Sequence, residues 1–388
     1  MKIGLETLFE QHLDLLRGQR VGLIVHPASI NQHYQHAADI FYSCQEFKLT
    51  ALYGPQHGIR GETQDNMIEW EGFTDRRTGL PVYSLYGETR IPSEEMLKDI
   101  DVLVFDAQDV GTRVYTFIYT MAYAMQSCAR YGRRMIVLDR PNPIGGEMVE
   151  GNILDTAFAS FVGLYPIPMR HGMTVGELAQ LFNKEFQIHC QLDIVPMDGW
   201  QRAMWWEDTK LPWILPSPNM PTLDTATVYP GMVIFEGTMV SEGRGTTRPF
   251  EIIGAPYIDP YQLTDLLNAI GLSGVYFRPL YFQPTFHKHA GQLCGGLQVH
   301  VLDRQQFQPV ITGVAILKAI YDLYKDHFEW KSPPYEYVVD QLPIDVIYGT
   351  DTVRKEIEAN GSLDKISQCW QEQCKQFLPL REKYLLYR

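Results

Sequence analysis

The chain has 388 residues, 45% of them hydrophobic and 20% charged, with a net charge of −13 and a pI near 5.3. This is an ordinary globular balance in a chain long enough for about two domains. The acidic charge excludes the basic footprint of a nucleic-acid or anionic-membrane surface, and no apolar run approaches the roughly 18 residues of a membrane helix.

The N-terminal segment MKIGLETLFEQHLDLLRG lacks the apolar stretch and small-residue cleavage site of a signal peptide, so a cytoplasmic protein is expected. Arg20–Val25 predicts a first strand that runs into HPAS, and Tyr34–Ser43 a helix. Lys48–Tyr53 predicts a strand that runs into GPQHGIRGETQDN. Pro81–Tyr86 reads as another strand and Ser93–Lys98 as a helix. Val102–Phe105 is a strand leading into DAQDVGTR, followed by a helix over Val114–Tyr131 that Gly132 closes. Arg134–Leu138 is a strand leading into DRPNPIGG. Thr174–Phe186 is a helix opened by a capping box, with Thr174 as N-cap and Glu177 three residues on. Asp193–Pro196 adds a further strand.

Such alternation of strands and helices implies right-handed crossovers and a mostly parallel α/β sheet. Ligands bind such sheets at the carboxyl ends of the strands, where neighbouring loops converge. GPQHG, DAQDVG and DRPNP are therefore expected side by side around one pocket.

The texture changes near Trp200, where WQRAMWWEDTKLPWILPSPNMPTLDTATVYPG is rich in Trp and Pro and has no helical period. A segment of this kind is a functional loop or a packed covering. Helices are expected beyond it at Tyr261–Ala269, Gly313–Tyr324, Thr352–Glu358 and Leu363–Phe377, with a strand at Gly296–Val301. A boundary near residue 230 divides the chain into an α/β unit, 1–230, and a smaller α+β unit, 231–388, that closes a cleft.

Polar residues concentrate in the strand-end loops. Gly54–Asn66 offers Gln56, His57, Arg60, Glu62, Gln64, Asp65 and Asn66 between glycines that let the backbone approach a ligand. A hydrogen-bonded surface loop is the competing account. Asp106, Asp109 and Arg113 could face the pocket or form a salt bridge and a helix cap. Asp139, Arg140 and Asn142 lie on a loop whose shape two prolines restrain, and suit hydroxyl or acetamido recognition as well as a rigid turn. Arg170 and His171 precede a helix N-terminus and could hold a carboxylate. Asn219 stands between prolines. Glu242, Arg244, Arg248 and Glu251, with Glu236 upstream, offer carboxylates and an arginine clamp to a cleft, or a salt-bridge network.

No GxGxxG follows the first strand, so a nicotinamide cofactor is not expected. GxxxxGK[ST], HExxH and GxSxG are also missing, which leaves an α/β-hydrolase serine unsupported. His287 and His289 lack nearby acidic or cysteine ligands, and the six scattered cysteines (Cys44, Cys128, Cys190, Cys294, Cys369, Cys374) form no CxxC pair. Neither a metal nor any other cofactor is expected, and the cysteines read as reduced structural thiols.

GPQHGIRG, TGLPVYSLYG, DIDVLVFDAQDVGTRVYTFIYTMAYAM, VLDRPNPIGG, FVGLYPIPMRHGMTVGELA, LPWILPSPNMPTLDTATVYPG and EGTMVSEGRGTTRPFEIIGAP, in this order, resemble the exo-lytic peptidoglycan β-N-acetylmuramidases over nearly the full length. The resemblance implies a Rossmann-like domain joined to a smaller C-terminal domain, with the active site between them. It also implies removal of N-acetylmuramic acid from the non-reducing end of cell-wall fragments. In that family the first loop reads GPEHG, and its glutamate is the favoured catalytic carboxylate; here Gln56 stands in its place. A neutral amide is no acid or base, so another carboxylate takes the role, or the chain is a silent sugar- or muropeptide-binding homologue.

On the muramidase reading, the two carboxyl groups that glycoside cleavage needs are sought among Glu62, Asp109 and Glu242, with His57 as proton-transfer partner. Asp65 and Glu69 are further options beside Glu62. Arg170 or Arg244 would hold the lactyl carboxylate, and Asp139, Asn142 and Asn219 would read hydroxyl and acetamido groups. Gln56, Arg60, Arg113, Arg140, His171 and Arg248 complete the expected sugar-binding set. The expected partner is a small sugar or muropeptide, with no nucleic acid and no membrane; the oligomeric state is left open.

Overall fold

The computed structural model describes residues 1–64 and 67–388. Asp65 and Asn66, named above as candidates, lie outside the described residues.

Twelve strands appear among the described residues. They are β1 (Arg20–Val25), β2 (Lys48–Gly54), β3 (Phe73–Thr74), β4 (Pro81–Ser84), β5 (Val102–Asp106), β6 (Arg134–Leu138), β7 (Glu150–Ile153), β8 (Pro168–Arg170), β9 (Gln191–Val195), β10 (Ile252–Ala255), β11 (Val275–Phe282) and β12 (Cys294–Val301). Seven of these form one sheet in the order β3-β4-β2-β1-β5-β6-β9. Every pairing in it is parallel except β3 with β4. The order reverses between β1 and β5, as in a doubly wound Rossmann-like sheet. The loops after β2, β1, β5 and β6 therefore share one edge of the sheet.

The apolar strands are buried on both faces because helices cover both. Val21, Leu23, Val25, Val104, Ile136 and Leu138 pack with Leu5, Leu8 and Phe41 of helices Gly4–Gln11 and Ala37–Ser43. Ile24, Leu103, Phe105, Met135 and Val137 belong to the opposite core, with residues of helices Phe117–Arg130 and Val175–Glu185. The same core continues into the C-terminal part through Met232, Phe235, Leu263, Leu297, Val314, Ile344 and Trp370. There β10, β12 and β11 form a small antiparallel sheet.

The capping box at Thr174 and Glu177 is present. The helix expected from Tyr34 begins at Ala37 with His36 as its cap, because Tyr34 has a left-handed backbone at φ 60°. The Trp- and Pro-rich segment, read as free of helical period, contains the helix Leu223–Met232, which crosses residue 230. Thr225 through Met232 are all buried, so no polar face marks the helix in the sequence. Gly231 abuts helix Pro309–Leu323 so closely that a Cβ there would lie 1.8 Å from the Pro309 carbonyl oxygen. Strand β11 went unpredicted because it carries Pro279, which only an edge strand tolerates.

Candidate active site

The switch point between β1 and β5, where a doubly wound sheet usually takes its ligand, is occupied by the protein's own side chains. The Gln108 backbone N–H donates to His26 Nε2 at 2.6 Å, and Arg140 forks onto both Asp106 oxygens at 2.5 and 2.9 Å. Arg140 and Asp106 are both buried. The cavity lies beside this point. It is lined by Gln56 and His57 after β2, by Val114–Phe117 after β5, and by Ser217, Asn219 and Met220 of the Pro-rich loop. The C-terminal part closes it with Glu236, Arg244, Phe250, Tyr335 and Glu336. Its water-accessible space is about 40 Å³, far below the roughly 300 Å³ at which small-molecule sites begin.

Two carboxyl groups meet at this cavity. Glu236 accepts from Arg244 Nη2 and from the Tyr335 hydroxyl, each at 2.6 Å. Glu336 accepts from the Tyr86 hydroxyl at 2.8 Å and from Gln56 Nε2 at 3.3 Å. The other end of the Gln56 amide accepts from the Thr116 hydroxyl at 2.7 Å. Burial, above all, pushes the Glu336 carboxyl up from its ordinary pKa. The charge of Glu236 adds to this, while the bonds from Tyr86 and Gln56 and the charge of Arg90 oppose it. His57, Glu336 and Tyr337 hold left-handed backbones at φ 68°, 44° and 69°. At Glu336 and Tyr337 this is the two-residue turn closed by the paired Tyr335 and Val338.

Of the residues expected from the sequence, Gln56, His57, Asn219 and Arg244 line the cavity. Asn219 is tied to Gln64 through both its amide atoms, at 2.7 and 3.4 Å. Glu62, Asp109 and Glu242, the carboxylates expected from the sequence, are not among the residues lining the cavity. Glu62 is exposed and folds over Gly58. Asp109 accepts from the Gly111 N–H at 2.7 Å and lies 3.4 Å from His171. Glu242 is buried behind Arg244, against Lys288 at 2.7 Å and His287 at 3.3 Å. Burial alone would raise its pKa, but the charge of Lys288, the contact with His287 and the charge of Arg244 outweigh it and hold the carboxyl well below the usual range. Glu242 is thus a charge partner of Arg244 and Lys288. Glu69 accepts from the exposed Tyr337 hydroxyl.

The remaining polar candidates are absorbed by the fold. Arg113 donates to the carbonyls of Asn152, Ile167, Ile347 and Tyr348. Asp139 accepts from Thr174, the Gly176 N–H and Tyr387. Asn142 donates to the Met173 carbonyl and Arg170 to that of Ile144. Arg60 covers the Phe73 ring at 4.2 Å. Arg248 pairs with Glu251 while staying partly exposed. The physical reason is common to most of them: buried backbone carbonyls and helix ends need donors and acceptors, and strand-end polar residues supply them.

Glu336 lies outside the loops that the sequence marks as polar, and Glu236 stands in the sequence only as an upstream neighbour of Glu242. The available signal was PPYEY, a glutamate between tyrosines after two prolines. Among the described residues no three His, Cys, Asp or Glu side chains gather as metal ligands, and all six cysteines are unpaired.

Comparison with known proteins gives a consistent picture. The family model described as exo-β-N-acetylmuramidase NamZ, N-terminal, matches residues 21–224, and its C-terminal counterpart matches residues 227–387. The peptidoglycan β-N-acetylmuramidase NamZ of Bacillus subtilis (strain 168) is 49% identical over 387 residues, spanning 100% of this chain and 91% of that protein. Two crystal structures of DUF1343 family proteins from Bacteroides fragilis NCTC 9343 match as well, each over 100% of this chain and 99% of theirs. Their TM-scores are 0.90 and 0.75, at 37% and 32% identity.

Proposed function

We propose that this chain, which belongs to the exo-β-N-acetylmuramidase NamZ family, is a glycoside hydrolase that removes N-acetylmuramic acid from the non-reducing end of peptidoglycan fragments. The observation that carries this reading is the pair of buried carboxyl groups, Glu236 and Glu336, on one cavity where the two parts of the chain meet. Glycoside cleavage needs two such groups, one to protonate the leaving oxygen and one to activate water or attack the sugar. Arg244 offers a guanidinium beside them, the partner that a lactyl carboxylate calls for. Asn219, His57 and Gln56 supply amides and an imidazole for the sugar's hydroxyl and acetamido groups. The partner is a peptidoglycan-derived sugar or muropeptide. A cytoplasmic setting fits the six unpaired thiols.

The test is incubation with a disaccharide carrying N-acetylmuramic acid at its non-reducing end and with its reversed isomer. Free N-acetylmuramic acid is expected from the first substrate alone, and Glu236→Gln should abolish the release. A second reading, a silent muropeptide-binding protein, rests on the neutral amide of Gln56 at the cavity. Saturable binding without release, and activity appearing only in Gln56→Glu, would decide for that reading.

A further inference from the structure

We propose that Glu336 is the proton donor of this site and that Gln56 is the residue that positions it. The assignment deepens the muramidase reading and rests on it. Gln56 is neutral at every pH and cannot give up the proton that a departing sugar needs. The carboxyl it touches can. Gln56 Nε2 donates to Glu336 Oε1 at 3.3 Å, and Thr116 occupies Gln56 Oε1, so the amide presents its N–H face to the carboxyl. Tyr86 holds the second Glu336 oxygen. Glu336 and Tyr337, both left-handed, form the two-residue turn between the paired Tyr335 and Val338, and this turn sets the buried Glu336 carboxyl at the cavity.

The two carboxyl groups of the cavity differ in their partners. Glu236 meets a guanidinium and a phenol, whereas Glu336 meets an amide and a phenol. Burial also favours the neutral, proton-bearing form of Glu336. Pairs of carboxyl groups in unlike environments divide acid and base roles in this way. In the step proposed, the Glu336 proton passes to the glycosidic oxygen. The C1–O bond breaks, its electron pair stays on that oxygen, and the aglycone leaves as an alcohol. Water supplies the new oxygen at C1 and returns one proton to the carboxylate pair.

The test compares two muramic-acid substrates in the full-length protein: the disaccharide, whose sugar leaving group needs protonation, and a 2,4-dinitrophenyl glycoside, whose leaving group does not. Glu336→Gln should lower kcat on the disaccharide by about 10²–10⁴-fold and on the dinitrophenyl glycoside by less than about tenfold. Gln56→Ala gives an independent readout. Loss of its hydrogen bond should move the alkaline limb of the kcat/KM profile upward by roughly 0.5–1 pH unit, a shift that a merely structural role would not produce. Equal losses on both substrates in Glu336→Gln, or an unmoved limb in Gln56→Ala, would overturn the assignment while leaving the muramidase reading intact. A wild type inactive on both substrates would overturn that reading and this one with it.

Discussion

Arg244 Nη2 lies 2.6 Å from Glu236 Oε1, and Arg244 Nε lies 3.4 Å from Glu242 Oε1. One guanidinium thus links a carboxylate on the cavity to a fully buried one behind it. Lys288, paired with Glu242 and bonded to the carbonyls of Phe235 and Val240, anchors that second carboxylate. The arrangement fixes the direction in which Arg244 can present its charge.

From this follows the first prediction. Lysine cannot reproduce the planar fork of arginine. Arg244→Lys should lower kcat/KM for substrates bearing muramic acid at least about tenfold more than for N-acetylglucosamine analogues, which lack the lactyl carboxylate. Arg170→Lys serves as the comparison, because Arg170 is engaged with the Ile144 carbonyl away from the cavity. Its effect should be the same on both sugars. Equal losses from Arg244→Lys would confine that arginine to holding Glu236.

Arg113 bonds β7 and Ile167, the residue before β8, to the helix Pro343–Tyr348 through four backbone carbonyls. It is fully buried, and burial pushes its pKa down to about 10. Arg113→Met removes the four bonds, although the Tyr348 carbonyl keeps the Asn152 amide as donor, and should cost roughly 3–5 kcal/mol of stability, read from urea unfolding. The kcat of the protein that remains folded should be within about twofold of wild type. A selective loss of kcat at unchanged stability would return Arg113 to the site.

Asp139 gives a pH dependence of known sign. Burial, offset in part by the Tyr387, Gly176 and Thr174 hydrogen bonds, pushes its pKa up from 3.8 to about 7. Between these values the folded chain holds a proton that the unfolded chain has lost. The contribution is complete below about pH 4 and declines as pH rises toward 7, by at most about 1.4 kcal/mol per pH unit. Unfolding free energies of Asp139→Asn measured across this range should show a flatter slope than wild type; a steeper one would contradict the assignment.

Gly231 sits where helices Leu223–Met232 and Pro309–Leu323 cross, with no room for a methyl group. Gly231→Ala should destabilise the chain by about 3 kcal/mol or more, because the obstacle is backbone and cannot rotate away. The neighbouring Tyr229 lines the cavity, so activity should fall in parallel with thermal stability. A variant as stable as wild type would show that the crossing can widen freely.

The parallel sheet was legible in the sequence because its determinants are local. Apolar runs such as RVGLIV and RMIVL, bounded by polar loops, are strands whatever surrounds them. The same local logic revealed the Thr174 capping box and set the GPQHG loop on the ligand edge, and Gln56 and His57 are at the cavity. Tertiary structure alone decided which polar side chains remain for chemistry. Asp139, Arg140 and Arg113 looked no different in sequence from Gln56, yet each is taken up by carbonyls, helix ends or counter-charges of the fold. Glu336 reaches Gln56 from 280 positions away along the chain. Such meetings depend on how the C-terminal part packs over the sheet edge, and side-chain periodicity carries no record of distant partners. The sequence determined where elements form, because backbone preference and apolar patterning act over a few residues. The site was decided by folding, because burial leaves each polar group with whatever partner long-range packing brings to it.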